Sequence, residues 1–163
     1  MKGSSRPDAV AVVVLRGHGE DVQLLLVRRS SGAFAGAWTF VMGGVEEGER
    51  ATETARWELV EEIGLAAAAL FTAGALDAFY DPVRDRIVHV PFFVAYLEPG
   101  EIRLEDDVHD AHRWVTFTEA AELLEFDAQR RVLADIHRNF VARAPQAWRS
   151  IPRPNPSTGQ EST

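Results

Sequence analysis

The sequence predicts an α/β fold in which a mixed β-sheet lies between helices. Two apolar runs joined by a turn come first, a helix with one apolar stripe follows, and further extended segments precede two more helices. The chain has 163 residues, which suits one domain, and 46% of them are hydrophobic, which is enough for a buried core. The predicted order of elements is β-β-β-α-β-β-β-α-α.

The first strands form a hairpin in this prediction. Val10–Leu15 and Val22–Val27 are rich in β-branched residues and leucine, and the turn-like residues 16–21 separate them. A segment of small residues follows, and Trp38–Met42 then resumes an apolar strand. We expect Gly43-Gly44 to break that strand and to begin a loop.

The predicted central helix covers Glu49–Ile63, a stretch without glycine or proline. Gly64 ends it, since glycine readily adopts the left-handed conformation that follows many helices. Apolar residues recur at every fourth position and define one inward stripe: Ala51, Ala55, Leu59 and Ile63.

Two long extended segments come next, Leu70–Tyr80 and Ile87–Leu97, joined by a polar turn. Pro91 indicates an edge strand or a bulge, because proline cannot donate to a ladder. Arg113–Phe117 is predicted as a short strand. These segments complete the predicted sheet.

Helices end the predicted domain. Thr118 is the expected N-cap of a helix over Glu119–Glu125. The apolar face of a last helix is formed by Leu133, Ile136 and Phe140. We therefore expect a flexible N-terminus over 1–7, a single domain over 8–143, and a disordered tail rich in proline and serine over 144–163.

Composition excludes several classes of function. The chain has no cysteine, so disulfides, thiolate metal sites and a cysteine nucleophile are ruled out. Its net charge of −8 disfavours binding to nucleic-acid phosphates. No run approaches the ~20 apolar residues that span a bilayer. We expect a soluble cytoplasmic protein that binds neither nucleic acid nor membranes.

Acidic residues crowd the end of the central helix. Glu58, Glu61 and Glu62 are i,i+3 and i,i+4 neighbours and converge on one flank, which we call the carboxylate cluster. Each like-charge pair destabilises a helix by about 0.2–0.5 kcal/mol, whereas a divalent cation bound between the carboxylates would turn this repulsion into attraction. Glycines upstream, Gly43 among them, allow the backbone to approach a metal ion or a phosphate. The pattern predicts a magnesium site.

The spacing of these residues resembles the Nudix box, G-x5-E-x7-R-E-U-x-E-E-x-G-U with U aliphatic. The match covers 23 residues, Gly43 to Leu65, and keeps eight of the nine defined positions. The resemblance implies an α/β/α sandwich in which the box forms a loop-helix-loop. It also implies hydrolysis of a nucleoside diphosphate linked to another group, with Mg²⁺ or Mn²⁺ and an attacking water.

The resemblance assigns roles to particular residues. It implies metal ligation by Glu58, Glu61, Glu62 and the Gly43 carbonyl, and catalysis by Glu58 or Glu61, either of which orients or deprotonates the water. Glu49 would support the site or contact the metal ion from outside. Residues 38–49 resemble the dihydroneopterin triphosphate pyrophosphatases, which implies a small nucleoside or pterin triphosphate as substrate. Dimers are frequent among such proteins, so a homodimer is one expected assembly.

Two positions depart from the family pattern. Trp57 replaces the box arginine, which pairs with the glutamates, and indole cannot form that bidentate contact. Arg56 or Arg50 would have to reach them instead, and Trp57 is expected to pack against the sheet. Val108 stands where a similar segment has glutamate, and the acidic residues at 105–107 are its candidate substitutes. The alternative function is a nucleotide sensor with weakened catalysis.

Substrate contacts are predicted from residue type and position. Arg28 and Arg29 end the second strand and are candidates for phosphate contact, with plain solvation as the competing interpretation. Phe34, Phe79 and Tyr80 are candidates for stacking on a base or pterin, worth ~1–3 kcal/mol, against an ordinary place in the core. The histidines are interpreted as solvated or hydrogen-bonded, without a metal role: His89, His109 and His112.

Overall fold

A computed structural model describes residues 5–155 of the chain. Within that range the sheet consists of Ala9–Arg16 (β1), Gln23–Arg29 (β2), Trp38–Thr39 (β3), Val41–Gly44 (β4), Ala67–Asp81 (β5), Arg86–Leu97 (β6), His109–Val115 (β7) and Ser150–Ile151 (β8). The helices are Ala51–Ile63 (α1), Phe117–Leu123 (α2) and Asp127–Ile136 (α3), and the π-helical turn His137–Val141 continues α3.

The strands form one mixed sheet in the order β3-β2-β1-β6-β5-β8, with β4 paired to β1 and β7 paired to β2. β1 runs parallel to β6, and the other pairs are antiparallel. The predicted mixed sheet and its opening hairpin are confirmed. Pro91 lies beside a register shift between β5 and β6, so the predicted bulge is also confirmed.

Helices cover both faces of the sheet, because side chains along a strand point alternately to opposite faces. On β1, Val10, Val12 and Val14 pack with α1, whereas Ala11, Val13 and Leu15 pack with α2 and α3. The stripe predicted for α1 is confirmed, since Ala55, Leu59 and Ile63 are fully buried. The fold is therefore the predicted α/β/α sandwich.

The predicted strand Trp38–Met42 is divided in two at the buried Phe40. Gly43 and Gly44 do not break it, because Gly43 pairs with Val10 and Gly44 with Ala9. Glycine lacks a side chain but keeps its backbone donor and acceptor, so strand pairing continues through both residues. β4 thus brings Gly43 directly beside α1.

β7 begins at His109, four residues before the predicted start at Arg113, since its pairing with β2 extends along the whole strand. The N-cap of α2 is Thr116 and not Thr118. The hydroxyl of Thr116 accepts a hydrogen bond from the Glu119 backbone N–H at 3.1 Å.

Part of the predicted disordered tail is structured. Ile151 pairs with Leu70 of β5, and the Arg149 guanidinium donates to the Ala73 carbonyl at 2.6 Å. The prediction of disorder is wrong for 147–151, because pairing with the open edge of β5 satisfies backbone groups that composition alone does not reveal. Residues 1–4 of the predicted N-terminal segment and 156–163 of the predicted tail lie outside the described residues.

Candidate active site

The carboxylate cluster occupies the last two turns of α1, where its three members differ in depth. Glu62 is buried, Glu58 is half-buried and Glu61 is exposed. Gly64 ends the helix in the left-handed conformation, φ 74°, and its N–H donates to the Val60 carbonyl at 3.1 Å. The cluster therefore runs from the sheet surface out to solvent.

Gly43 allows the Glu58 carboxyl to lie against the backbone of β4. A β-carbon at position 43 would be 2.0 Å from Glu58 Cδ and 2.1 Å from Glu58 Oε1, whereas one at Gly44 would meet open space. Only a glycine fits this approach without displacing Glu58. The packing of α1 on β4 thus brings Gly43 and Glu58 of the predicted ligand set together, and Glu62 lies against Met42 of the same strand, while Glu61 is at the exposed end of the set.

Burial and crowding make ionisation of two of the glutamates unfavourable. Burial, followed by the charges of Glu61, Glu105 and Glu49, raises the pKa of Glu58 to about 7. Burial followed by the Glu58 charge raises the pKa of Glu62 to about 8, opposed in part by a backbone hydrogen bond from Met42. A bound cation would reverse this cost.

The cluster fits a divalent cation held partly by water and substrate. Glu62 Oε2 is buried and has no hydrogen-bond partner among residues 5–155. In the same range no three acidic or histidine side chains form a ready-made metal cage. Mg²⁺ commonly uses one or two carboxylates and completes its octahedron with waters and phosphate oxygens, so an incomplete protein cage suits it.

Glu105 is the acidic residue that the structure brings to the cluster in the region of Val108. Its charge raises the pKa of both Glu58 and Glu62. Its backbone N–H donates to the Glu62 carbonyl at 3.2 Å, which fixes the segment against α1. Of the three substitutes that the sequence suggested, Glu105 is thus the one whose position suits the role.

The arginines near Trp57 make other contacts. The Arg56 guanidinium donates to the carbonyls of Ile151 and Pro152 at 3.2 and 3.3 Å, and the Arg50 backbone N–H donates to Glu53. Trp57 is 59% exposed, so the prediction that it packs against the sheet is wrong. Its position on α1 turns it away from the sheet that Ala55 and Leu59 contact.

Glu49 supports the loop before α1. Its carboxylate accepts hydrogen bonds from the Thr54 hydroxyl at 2.9 Å and from the Glu46 backbone N–H at 3.2 Å. These contacts hold the turn in which Gly48 adopts φ 86°. Glu49 therefore matches the supporting role that the resemblance implied.

A cavity of about 540 Å³, which we call the aromatic cavity, lies on the face of the sheet that α3 covers. Phe34 and Phe126 meet edge to face in its wall, with ring centroids 5.0 Å apart. Its size and apolar lining are typical of small-molecule sites. The other aromatic and polar residues that line it are Phe79, Phe92, Arg29, Asp77, Asp127, Gln129 and Arg131.

Arg29 and Met42 connect the aromatic cavity with the carboxylate cluster. Both line the cavity. The Arg29 charge lowers the pKa of Glu62, and the Met42 backbone hydrogen-bonds to the Glu62 carboxyl. A larger concavity of about 710 Å³, between Leu65 and Trp114, includes none of these residues. The smaller cavity is therefore the one joined to the acidic site.

The predicted substrate residues separate into two groups. Arg29, Phe34 and Phe79 line the aromatic cavity. Arg28 instead donates to Asp110 at 2.7 Å, and the Tyr80 hydroxyl donates to Asp85 at 3.0 Å in the β5–β6 turn. Arg28 and Tyr80 do not line the aromatic cavity, and substrate contact by them stays a prediction. Side chains alternate along β5, which turns Phe79 and Tyr80 to opposite faces, whereas on β2 the pairing with β7 shifts register between Arg28 and Arg29.

Sequence reasoning missed Gln129, which lines the aromatic cavity at the start of α3. Its amide accepts a hydrogen bond from the Phe40 N–H at 3.3 Å and donates to Met42 Sδ at 3.0 Å. Gln129 precedes Leu133 by one helical turn, so a polar residue within the apolar stripe of α3 was the available signal. The side chain is only 2% exposed.

An α/β/α sandwich with a glycine-supported acidic flank beside an aromatic cavity defines the class of metal-dependent phosphoanhydride hydrolases. A family model described as the NUDIX domain matches residues 5–136, so the chain belongs to the Nudix hydrolase family of pyrophosphohydrolases. The family typically depends on a divalent metal ion. No helix among residues 5–155 has the length and apolar character needed to cross a membrane.

Individual relatives agree with this family. The chain is 29% identical to the asymmetrical bis(5′-nucleosyl)-tetraphosphatase of Rattus norvegicus, over 84% of the chain and 97% of the rat protein. It is 32% identical to an octanoyltransferase of Myxococcus xanthus over 76% of the chain, but it spans only 35% of that protein. The Escherichia coli dihydroneopterin triphosphate pyrophosphohydrolase has the same fold, with a TM-score of 0.62, 23% identity, and coverage of 84% of this chain and 96% of that one.

Proposed function

We propose that this enzyme hydrolyses a phosphoanhydride bond of a nucleoside polyphosphate. The ring of the substrate occupies the aromatic cavity, and its phosphates extend past Arg29 to the carboxylate cluster. The observation that carries the proposal is the connection of the two sites through Arg29 and Met42, which line the cavity and also act on the Glu62 carboxyl. A substrate with an aromatic ring at one end and phosphates at the other matches that arrangement.

Each part of the site then has a chemical task. Glu58, Glu61, Glu62 and the Gly43 carbonyl hold Mg²⁺ or Mn²⁺, which when bound offsets phosphate charge and activates water. Glu58 or Glu61 accepts a proton from the attacking water. As the water oxygen bonds to phosphorus, the bond to the bridging oxygen breaks and the leaving phosphate departs with its electron pair. Arg29 compensates the negative charge of the phosphate chain.

The ring-binding residues act before the chemical step. Phe34 and Phe79 stack on the base or pterin, and Gln129 lies at the cavity wall where ring edges would meet it. The chain's likeness to the rat enzyme favours a bis(5′-nucleosyl) tetraphosphate, and its resemblance around the box favours a nucleoside or dihydroneopterin triphosphate. These compounds share one chemistry, a heterocycle joined to at least three phosphates.

A substrate panel tests the proposal. Nucleoside di- and triphosphates, nucleotide sugars, bis(5′-nucleosyl) tetraphosphate and dihydroneopterin triphosphate are incubated with Mg²⁺ and, separately, with Mn²⁺. We expect metal-dependent release of phosphate, pyrophosphate or nucleotide from the polyphosphates, and its loss in the Glu61→Gln/Glu62→Gln double variant.

The competing hypothesis is a nucleotide sensor, which Trp57 and Val108 motivate. It predicts that a polyphosphate raises the melting temperature of the protein in the presence of Mg²⁺ but is recovered intact. Ligand-dependent stabilisation without turnover across the whole panel would therefore refute the enzymatic proposal in favour of the sensor.

A further inference from the structure

Four buried side-chain atoms lack a hydrogen-bond partner within the part of the chain that the structure describes. They are Arg29 Nε, Ser30 Oγ, Glu62 Oε2 and His109 Nδ1. Buried polar atoms nearly always have partners, so each exception calls for an explanation. All four belong to the place where the end of β2, the start of β7 and the last turn of α1 meet.

Backbone contacts hold these elements together. Arg29 is the register partner of His109 in the β2–β7 ladder, and the Ser30 N–H donates to the Val108 carbonyl at 3.0 Å. The Glu105 N–H donates to the Glu62 carbonyl, and the Glu105 carbonyl accepts from the His109 N–H at 3.1 Å. The strand that carries His109 is thereby fixed against the helix that carries Glu62.

The His109 and Glu62 side chains face each other at a distance that one water spans. His109 Nδ1 and Glu62 Oε2 are 3.9 Å apart, and the two residues are only 3% and 7% exposed. This separation exceeds a direct hydrogen bond. If a water lies about 2.8 Å from both atoms, the angle at its oxygen between Nδ1 and Oε2 is roughly 90°, which is compatible with a hydrogen bond to each. A buried water usually has about three partners, and Arg29 Nε and Ser30 Oγ are the other two buried atoms of this group that lack one.

We propose that His109, together with Arg29, positions the Glu62 carboxylate for metal binding through a buried bridging water. His109 is then a positioning residue that acts on the metal ion through Glu62. This inference rests on the metal site of the proposed function. Contacts of this kind to the ligands of a metal ion typically change metal affinity by about 10–100-fold when they are removed.

Metal affinity without substrate tests the inference. Mn²⁺ alone is titrated calorimetrically into the wild-type chain and into His109→Asn, His109→Gln and His109→Phe. Asparagine places a polar atom near the position of Nδ1, glutamine places it near Nε2, and phenylalanine supplies neither. We expect His109→Asn to retain affinity within about threefold, and the other two variants to lose roughly tenfold or more. His112→Asn, an exposed site on the same strand, should bind Mn²⁺ like the wild type.

Folding is monitored by the melting temperature of each metal-free variant. If His109→Phe fails to fold, the comparison of His109→Asn with His109→Gln decides alone. Equal Mn²⁺ affinity of these two variants and the wild type would overturn the positioning role. If that result accompanies loss of Mn²⁺ binding in Glu62→Gln, the metal site stands and only His109 is wrongly assigned. If the wild type binds no Mn²⁺, both proposals fall.

Discussion

The carboxylate cluster on α1 and the aromatic cavity are connected through Arg29 and Met42, but they are assembled in different ways. Three glutamates at positions i, i+3 and i+4 of α1 form the cluster, and one glycine on β4 makes room for Glu58. The cavity instead takes its walls from the segment after β2, from β4, β5 and β6, and from the start of α3. The first site is local in sequence, whereas the second depends on long-range packing.

The two sites therefore differ in their expected roles, catalysis for the cluster and substrate binding for the cavity. The cluster is acidic, and burial together with neighbouring negative charge raises the pKa of Glu58 and of Glu62, a cost that a bound cation would offset. The cavity wall is aromatic and holds Arg29 at the side nearest Glu62. Changes in the cluster should therefore alter kcat, and changes in the cavity should alter KM. The following predictions test that division, beginning with the largest expected effect.

Glu62→Gln should reduce kcat by about 10²–10³-fold, the size of effect seen when one electrostatic contact to a transition state is removed. The substitution keeps the shape of the side chain but removes the charge that holds the cation. Steady-state kinetics with Mg²⁺ measures the effect. Glu47→Gln, in the exposed loop before α1, is the matched control and should turn over normally. Unchanged kcat in Glu62→Gln would remove Glu62 from the metal site.

Gly43→Ala should reduce kcat by up to about 10²-fold, because its new β-carbon would lie 2.0 Å from Glu58 Cδ and force that carboxyl away. Gly44→Ala is the control, since a β-carbon there meets open space and the residue has no left-handed φ. Circular dichroism verifies that both variants fold. Similar kinetics for the two variants would contradict the close approach of Glu58 to β4.

Phe79→Ala should raise KM roughly tenfold with little change in kcat, because stacking on a ring is worth ~1–3 kcal/mol. Its neighbour Tyr80 points to the other face of β5 and is 56% exposed, so Tyr80→Ala should leave KM unchanged. Initial rates over a range of substrate concentrations distinguish the two. An equal rise in KM for both variants would place the ring of the substrate elsewhere.

Without metal ions, the free energy of unfolding of the wild-type chain should fall as the pH rises from 5 to 8.5. The pKa values of Glu58 and Glu62 in the folded state, about 7 and about 8, exceed their unfolded values, so the folded state binds protons more tightly. This contribution is complete below about pH 4.5 and is lost as pH rises through 7 and 8.

The variant Glu62→Gln measures the contribution of Glu62 to this pH dependence. In EDTA it should melt near the wild type at pH 5 and several degrees higher at pH 8.5, where about 1 kcal/mol corresponds to roughly 2–4 °C. Scanning calorimetry of both chains at both pH values measures the difference. A variant that is no more stable than the wild type at pH 8.5 would mean that Glu62 is ionised there at little cost.

The sequence predicted the residues of the carboxylate cluster better than those of the aromatic cavity. Glu58, Glu61 and Glu62 were predictable because helical geometry alone places them on one flank. Arg29 and Arg28 looked equivalent in sequence, and only the path of β2 and its pairing with β7 distinguished them. Gln129 was missed because its role depends on Phe40 and Met42, which are far away in sequence.

The sequence by itself determined the order of elements up to α3 apart from the division into β3 and β4, the apolar stripe of α1, and the spacing of glycine and glutamates in the box. Each of these depends on residues close along the chain. Tertiary structure decided the pairing of Gly43 in β4, the ordering of 147–151 on β5, the choice of Glu105 beside Glu62, and the buried meeting of Glu62 with His109. These features bring together residues that are distant in sequence, and only strand pairing and the packing of α1 on the sheet place them in contact.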